Sequence, residues 1–534
     1  MNLQTTNTNK ITEQVIQKIG NPVSVMVVKA TLESFGIRNK DVITDFGFAN
    51  LKNLASHIYE DLKNRDSSEL LNQKEQKKSN FEDKRIPVSA YLWIKAKLLF
   101  KYYPLGLFHL FPVFLQVVTI IFFGYSLWTF SDFNIMQSTV VVFGVIMGLI
   151  ISGGYVQVLG RQASFYWHHK EYSKSKIVIN KLIRSGIYGI CIVFLVLGAI
   201  NFFFNLYPFS FIAITFVYAL LIGALLLVSA PFHTIKRRWV ISLAILIASL
   251  SSLGLMFYTN IHIYITHWLG ILIAILICKL FLFYFFRKYK NVEDEEILPK
   301  RLIVIYRNYA YFFYGGLIYL FIFMDRILAW SADIELTRQY IFLYEKDYEI
   351  GMDLAILIFF LLAGVLEYAI ASFSKFLDIR QKSTFYKDVT LFNKKFHRMY
   401  WGHIALLFLS TLLASAVLYL IITQPWGYER GFGEALNVLS IKVCIVGGLG
   451  YFFLTWGMLN ALYLFTLNRP HIALRALFIA CIVNFAVGFL LSRTVSYEYS
   501  VFGMLIGAVV FMILTLRENY KFFKNLDYYY YAAY

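Results

Sequence analysis

Charge is scarce in this sequence. Asp, Glu, Lys and Arg make up 15% of 534 residues, against about 25% in ordinary soluble domains. Mean hydropathy is +0.60, too high over this length for a single soluble core. Cysteine is nearly absent: the four residues Cys191, Cys278, Cys444 and Cys481 each lie inside an apolar run. No CxxC pair exists, so neither a disulfide framework nor a thiolate metal site is expected, and these cysteines read as small buried hydrophobes. Metal-site and nucleotide-site motifs are missing too. There is no GxxxxGK[ST] loop and no HEXXH, and His168-His169 sits in a solvated basic loop. The expectation is therefore a protein with no cofactor, no bound metal and no enzymatic site. The N-terminus, MNLQTTNTNK, lacks the apolar core of a cleaved signal peptide.

What the chain has in quantity is long apolar runs. A run of about 20 residues spans the roughly 30 Å hydrocarbon layer as a helix. Twelve candidates are read: 107–130, 135–158, 183–204, 209–231, 238–258, 261–285, 308–330, 350–374, 401–424, 437–466, 472–492 and 498–517. The formal charge of +18 invites a nucleic-acid partner, but the bases cluster at one set of helix ends, so none is expected. Arg161, Lys170, Lys174, Lys176, Lys181 and Arg184 follow span 2, and Lys236, Arg237 and Arg238 follow span 4. Lys375, Arg380, Lys382, Lys387, Lys394, Lys395 and Arg398 follow span 8. The loops SDFN, LYP and TN between the other ends have no base, and Ser331–Glu349 has five acids. The alternation predicts a multi-pass membrane protein with both termini cytoplasmic.

Ahead of the spans, residues 1–64 read as a small helical cytosolic domain. Ile11, Val15, Ile16 and Ile19 share one helical face, and Leu51, Leu54, Ile58 and Leu62 share another. Residues 65–106 read as a charged linker followed by an interfacial helix, Tyr91–Tyr103. The rest divides into a first six-helix bundle (107–285), a cytoplasmic linker (286–307), a second six-helix bundle (308–517) and a cytoplasmic tail (518–534). Long basic segments follow spans 2 and 8, and short basic turns follow spans 4 and 10. The fold class predicted is thus all-α and polytopic, with two six-helix bundles in a parallel pseudo-twofold repeat. Such bundles suit alternating access, and their basic inner mouth suits an anionic substrate or simply lipid headgroups.

Charges inside spans are costly and face an interior or one another. Asp325 and Arg326 lie in span 7, Glu367 in span 8, Lys279 in span 6 and Lys442 in span 10. Asp325 and Glu367 are either protonatable coupling sites or halves of structural ion pairs. Neighbouring helical residues do not face each other, so Asp325 and Arg326 are expected to have different partners. Lys279 snorkels to the interface or lines the path. Among the 38 tyrosines, Tyr314 and Tyr319 lie deep in span 7, where aromatic faces with hydroxyls suit sugar rings or plain packing.

Three stretches carry a resemblance: ISGGYVQVLGRQASFYWHHKEYSK; YFFYGGLIYLFIFMDRILAW with LEYAIASFSKFLDIRQKSTFYKDV; and the tail LRENYKFFKNLDYYYYAAY. Together they resemble the PelG family of exopolysaccharide exporters, in the polysaccharide-flippase branch of the multidrug/oligosaccharidyl-lipid/polysaccharide (MOP) superfamily. Where that family has a GIGFELRK-type segment, this chain has YLWIKAKLLFKYYPLG behind an extra N-terminal domain. The resemblance implies a place in the bacterial inner membrane, twelve to fourteen helices in two bundles and no bound nucleotide. It also implies a polysaccharide or glycolipid substrate, a cytoplasmic glycosyltransferase and further membrane subunits as partners. The positions it carries over are Arg161, Asp325 and Arg326. A lipid-linked oligosaccharide flippase, a small-molecule antiporter of the same fold and a non-transporting scaffold stay open beside it.

Overall fold

The computed structural model describes residues 2–19, 22, 24–76, 88–287, 301–332, 340–383, 389–424, 428–429 and 435–524. The N-terminal module is built on three helices of ten residues or more, α1 (Asn2–Ile19), α2 (Val25–Ser34) and α3 (Leu51–Gln76), with short helical turns over Asn39–Asp41 and Val42–Phe46. Val15, Val28, Leu32, Leu54 and Ile58 close its own small core. Gly36 (φ +84°) and Gly47 (φ +74°) supply left-handed turns between its elements, a conformation that a Cβ disfavours. Asn39 then seats α3 by accepting from the Leu51 N–H at 2.9 Å. The boundary expected at residue 64 falls inside α3.

The membrane part begins with α4 (Val88–Phe123), followed by a two-stranded hairpin, β1 (Tyr125–Ser126) and β2 (Thr129–Phe130). The helices then follow as α5 (Ile135–His168), α6 (Tyr172–Phe204), α7 (Phe209–Ser229), α8 (Trp239–Tyr258) and α9 (Ile263–Arg287). The second half comprises α10 (Arg301–Trp330), α11 (Lys346–Ser383), α12 (Val389–Thr423), α13 (Val438–Thr466), α14 (Pro470–Thr494) and α15 (Val501–Lys524). Among the described residues, eleven helices, from α5 to α15, are long and apolar enough to cross a membrane. This is an all-α polytopic membrane protein.

The first span departs from its predicted limits. The segment expected at 107–130 stops at Phe123, and the interfacial helix expected at 91–103 is continuous with it in α4. Gly124, at φ +62°, ends the helix, and the apolar run YSLWTF folds into the hairpin instead. Gln116 locks it: its Oε1 accepts from Leu127 N at 2.8 Å and its Nε2 donates to Ser249 Oγ at 2.8 Å. Hydropathy registers that this run is buried without telling strand from helix. Other helices outrun their apolar cores: α10 starts at Arg301 rather than 308, and α15 ends at Lys524 rather than 517. An apolar window marks the stretch that a bilayer core would require, whereas helical hydrogen bonding needs no apolar side chain.

Packing repeats with a shift of six helices. In the first half α5 lies against α6 and α7, α7 against α9, and α8 against α9. In the second half α11 lies against α12 and α13, α13 against α15, and α14 against α15. The halves meet along two seams, α4 with α11 and α5 with α10, which the same shift interchanges. Glycines let the backbones touch at both. A Cβ on Gly153 would stand 2.5 Å from the Gly315 carbonyl oxygen, and one on Gly106 would stand 2.5 Å from Gly364 Cα. Close backbone approach through small residues is how helices associate where lipid offers no hydrophobic gain.

Candidate functional site

The buried charges collect at one place, the end of α10 and the start of α11. Asp325 is 0% exposed, Arg326 3% and Glu349 1%. Arg326 pairs with Glu349 and donates to Asp353 Oδ1 at 2.7 Å. Trp330, one turn beyond Arg326 on the same face, donates its Nε1–H to the other Glu349 oxygen at 2.9 Å. Asp325, turned about 100° away on the helix, accepts from the Tyr348 hydroxyl at 2.6 Å. The expected separation of partners for Asp325 and Arg326 is what the geometry gives. Glu349 and Asp353 stand one helical turn apart, so both reach the same guanidinium.

The end of α10 is secured by a second arginine. Arg493 of α14 donates to the Leu328 and Ser331 carbonyls, each at 3.0 Å, and stacks over Phe489 at 4.5 Å. A guanidinium here satisfies carbonyls that the helix end leaves open. Asn484 donates to the Phe321 carbonyl at 3.0 Å. Within the cluster, Asp325 Oδ1 and Arg326 Nε and Nη2 are buried without a hydrogen-bond partner. A buried carboxylate oxygen and guanidinium N–H groups left so are costly.

The other expected positions lie apart from this cluster. Glu367 of α11 meets Arg238, the residue before α8, at 2.7 Å, with side chains 38% and 19% exposed. Arg238 also donates to the Leu105 carbonyl at 3.4 Å. Because the pair is partly solvated, Glu367→Gln is expected to cost under about 1 kcal/mol in thermal melting of the purified protein. A loss well above that would mean the pair is desolvated. Arg161 sits at the α5–α10 seam, near the end that carries the basic loops. Its guanidinium stacks on Tyr311 at 4.0 Å and donates to Asn468 Oδ1 at 3.0 Å and the Arg307 carbonyl at 3.3 Å. Tyr314 is buried edge-on to Phe465, centroids 4.9 Å apart, a packing position. The Tyr319 ring covers Gly153, on the seam itself. Lys279 and Lys442 are both exposed and take no part in the buried cluster.

Sequence reasoning missed Glu349, Asp353, Tyr348 and Trp330. Glu349 was counted with the acidic loop, although α11 begins at Lys346. The i, i+4 spacing of Glu349 and Asp353 opposite a buried base was the usable signal.

The first bundle is built differently. Between Val88 and Arg287 the only acids are Asp132 and Glu171; Asp132 is exposed, and Glu171 is half-buried and paired with Lys174 at 3.3 Å. Its buried polar groups include no Asp, Glu, Lys or Arg among the described residues: Tyr218 shares a hydrogen bond with His267 Nδ1 at 2.8 Å, and Tyr125 bonds Ser252 and, at 3.2 Å, Thr266.

No family model matches the sequence, and no curated protein matches it. Solved structures do match the fold. A mutant of the Vibrio cholerae MATE transporter VcmN superposes with a TM-score of 0.58 at 12% identity, covering 82% of this chain and 98% of that one. A multidrug resistance MATE family transporter of the MOP superfamily, in its outward-facing conformation, gives 0.57 at 12% identity over 81% and 96%. An inward-facing conformation of such a transporter gives 0.50 at 12% identity over 73% and 91%. The chain has the fold of these transporters along nearly their whole length.

Proposed function

We propose that this protein is a transporter of the MOP superfamily, working by alternating access between its two bundles and exporting an exopolysaccharide or its lipid-linked precursor from the cytoplasm. The observation that carries the transport reading is the pair of seams joining two pseudo-symmetric bundles, where glycines of the two halves bring backbone directly against backbone. The glycan cargo rests on the PelG-like stretches, two of which contain the α5–α10 seam: ISGGY holds Gly153, and FFYGGLIY holds Gly315. A cytoplasmic glycosyltransferase is the partner this reading requires, and the module at residues 2–64 is a candidate place for it to dock. The reading places both termini and the basic loops in the cytoplasm. Cells lacking the protein are expected to lose exopolysaccharide export while still making the polymer. Normal export in the deletion strain removes the reading.

A second reading, a cation-coupled antiporter for small molecules, is favoured by one observation. All buried acids of the described membrane part, Asp325 and Glu349, lie in the second bundle, and Asp325 Oδ1 has no protein partner. In that reading Asp325 takes up a proton or small cation. Asp325→Asn in proteoliposomes would then abolish gradient-driven uptake, whereas export driven by polymer elongation would continue.

A further inference from the structure

The segment Tyr340–Tyr344 enters α11 and so belongs to the second bundle, yet its polar contacts reach the first. Tyr207, between α6 and α7, holds Phe342 by both backbone groups. The Phe342 N–H donates to Tyr207 Oη at 3.0 Å, and Tyr207 Oη donates to the Phe342 carbonyl at 2.8 Å. One tyrosine thus gives this residue what a neighbouring strand would give it. The rings add to the grip: Tyr340 stacks on Tyr207 with centroids 5.3 Å apart, and Tyr207 stacks on Phe211 at 4.1 Å. Phe342 packs on Phe143 at 4.8 Å, and the Tyr344 N–H donates to Thr139 Oγ1 at 3.0 Å.

The receptor is formed independently of the segment. The Asn201 side chain exchanges two hydrogen bonds with the Tyr207 backbone, at 2.9 and 2.8 Å, and so fixes the loop that presents the ring. Burial pushes the Tyr207 hydroxyl up to about 12, so it stays protonated at neutral pH and can donate and accept at once. On its other side the segment leans on the charge cluster. Leu343 N donates to the Trp330 carbonyl at 3.1 Å, and the Trp330 ring lies 6.1 Å from Phe342 and 5.8 Å from Tyr344. The same Trp330 is tied through its indole N–H to Glu349, the partner of Arg326.

We propose that Tyr340–Tyr344 is a latch that closes the molecule at the α10–α11 end, with Tyr207 as its catch on the first bundle and Trp330 as its tie to the buried charges. The inference rests on alternating access but goes beyond it. It names the residues whose separation opens this end, and it makes the ion pair a support for the closed state. A change at Arg326 or Glu349 then reaches the latch through one indole.

Accessibility tests this without any cargo. Val140 is buried in the cluster beneath the latch. With the four native cysteines replaced by alanine, Val140→Cys is labelled by a membrane-impermeant maleimide in proteoliposomes. Tyr207→Phe keeps the ring stack and removes both hydrogen bonds, and is expected to raise the labelling rate about tenfold, with Trp330→Phe raising it in the same direction. Should Tyr207→Phe not fold, Thr139→Val removes the Tyr344 bond and serves instead. Labelling unchanged in the hydroxyl-deleted variant overturns the latch. Labelling raised by Tyr207→Phe but untouched by Trp330→Phe overturns the tie. Because labelling needs no substrate, failure here leaves the transport reading standing, and failure of export leaves the latch standing.

Discussion

Arg326→Ala is expected to destabilise the protein by about 3–5 kcal/mol, the largest effect of any single substitution considered. The arginine is 3% exposed and stands between Glu349 and Asp353. Removing it strands a buried carboxylate whose only other described side-chain partner is the Trp330 N–H. Asp353 suffers less, because its side chain is 65% exposed and water takes over. Arg326→Lys should recover only part of the loss: both contacts come from the single nitrogen Nη1, which an ammonium could replace, but an ammonium is more strongly hydrated than a guanidinium and costs more to bury. Replacing both partners, Arg326→Met with Glu349→Gln, should recover more than the lysine does, because the carboxylate that Arg326 neutralises is removed with it and only Asp325 stays as a buried acid of the described membrane part. Denaturant or thermal unfolding of the detergent-solubilised protein measures all three. A loss under about 1 kcal/mol for Arg326→Ala would mean that the cluster is solvated.

Gly153→Ala carries the second large effect. One added methyl would lie 2.5 Å from both the Gly315 carbonyl oxygen and the Tyr319 ring. A backbone oxygen cannot rotate away, so α5 and α10 must part, at a cost of about 1–3 kcal/mol. In the same helix Gly160 faces open space, with nothing within 4 Å of an added Cβ. Gly160→Ala is therefore expected to be neutral, or to stabilise by up to about 1 kcal/mol through helix propensity. Unfolding of the pair isolates the seam from any generic preference for alanine. Equal stability of the two variants would show that the seam is loose enough to absorb a methyl.

The fold was legible because lipid imposes a rule that sequence must obey openly. Every membrane-crossing segment hides its backbone in a helix of sufficient length, and basic loops mark one side. The hairpin after α4 was not legible, since YSLWTF is as apolar as the helix it follows and only Gly124 marks the break. The site was half legible. Asp325 and Arg326 stand out because charge inside an apolar run is expensive. Their partners did not, because Glu349 sits where the apolar window has not begun, and pairing across two helices leaves no trace in local composition. Glu367 has the same local signature as Asp325 yet meets Arg238 in a partly solvated pair. Intramembrane charge locates candidates without ranking them.

The two glycine contacts have a mechanical consequence. Gly153 and Gly364 each lie eighteen residues beyond the first residue of their helix, Ile135 and Lys346, so they occupy matching places in the two halves. Each abuts a glycine of the opposite half, which gives two bearing points at matching depth where backbone meets backbone, flanked by the Tyr319 and Tyr103 rings. Two bearing points define an axle. Turning about it leaves the glycine contacts where they are and moves every other residue in proportion to its distance from the line. The Arg161 stack and the Tyr207 catch, toward opposite ends of the molecule, then act as brakes on the same wheel, and releasing one swings leverage onto the other.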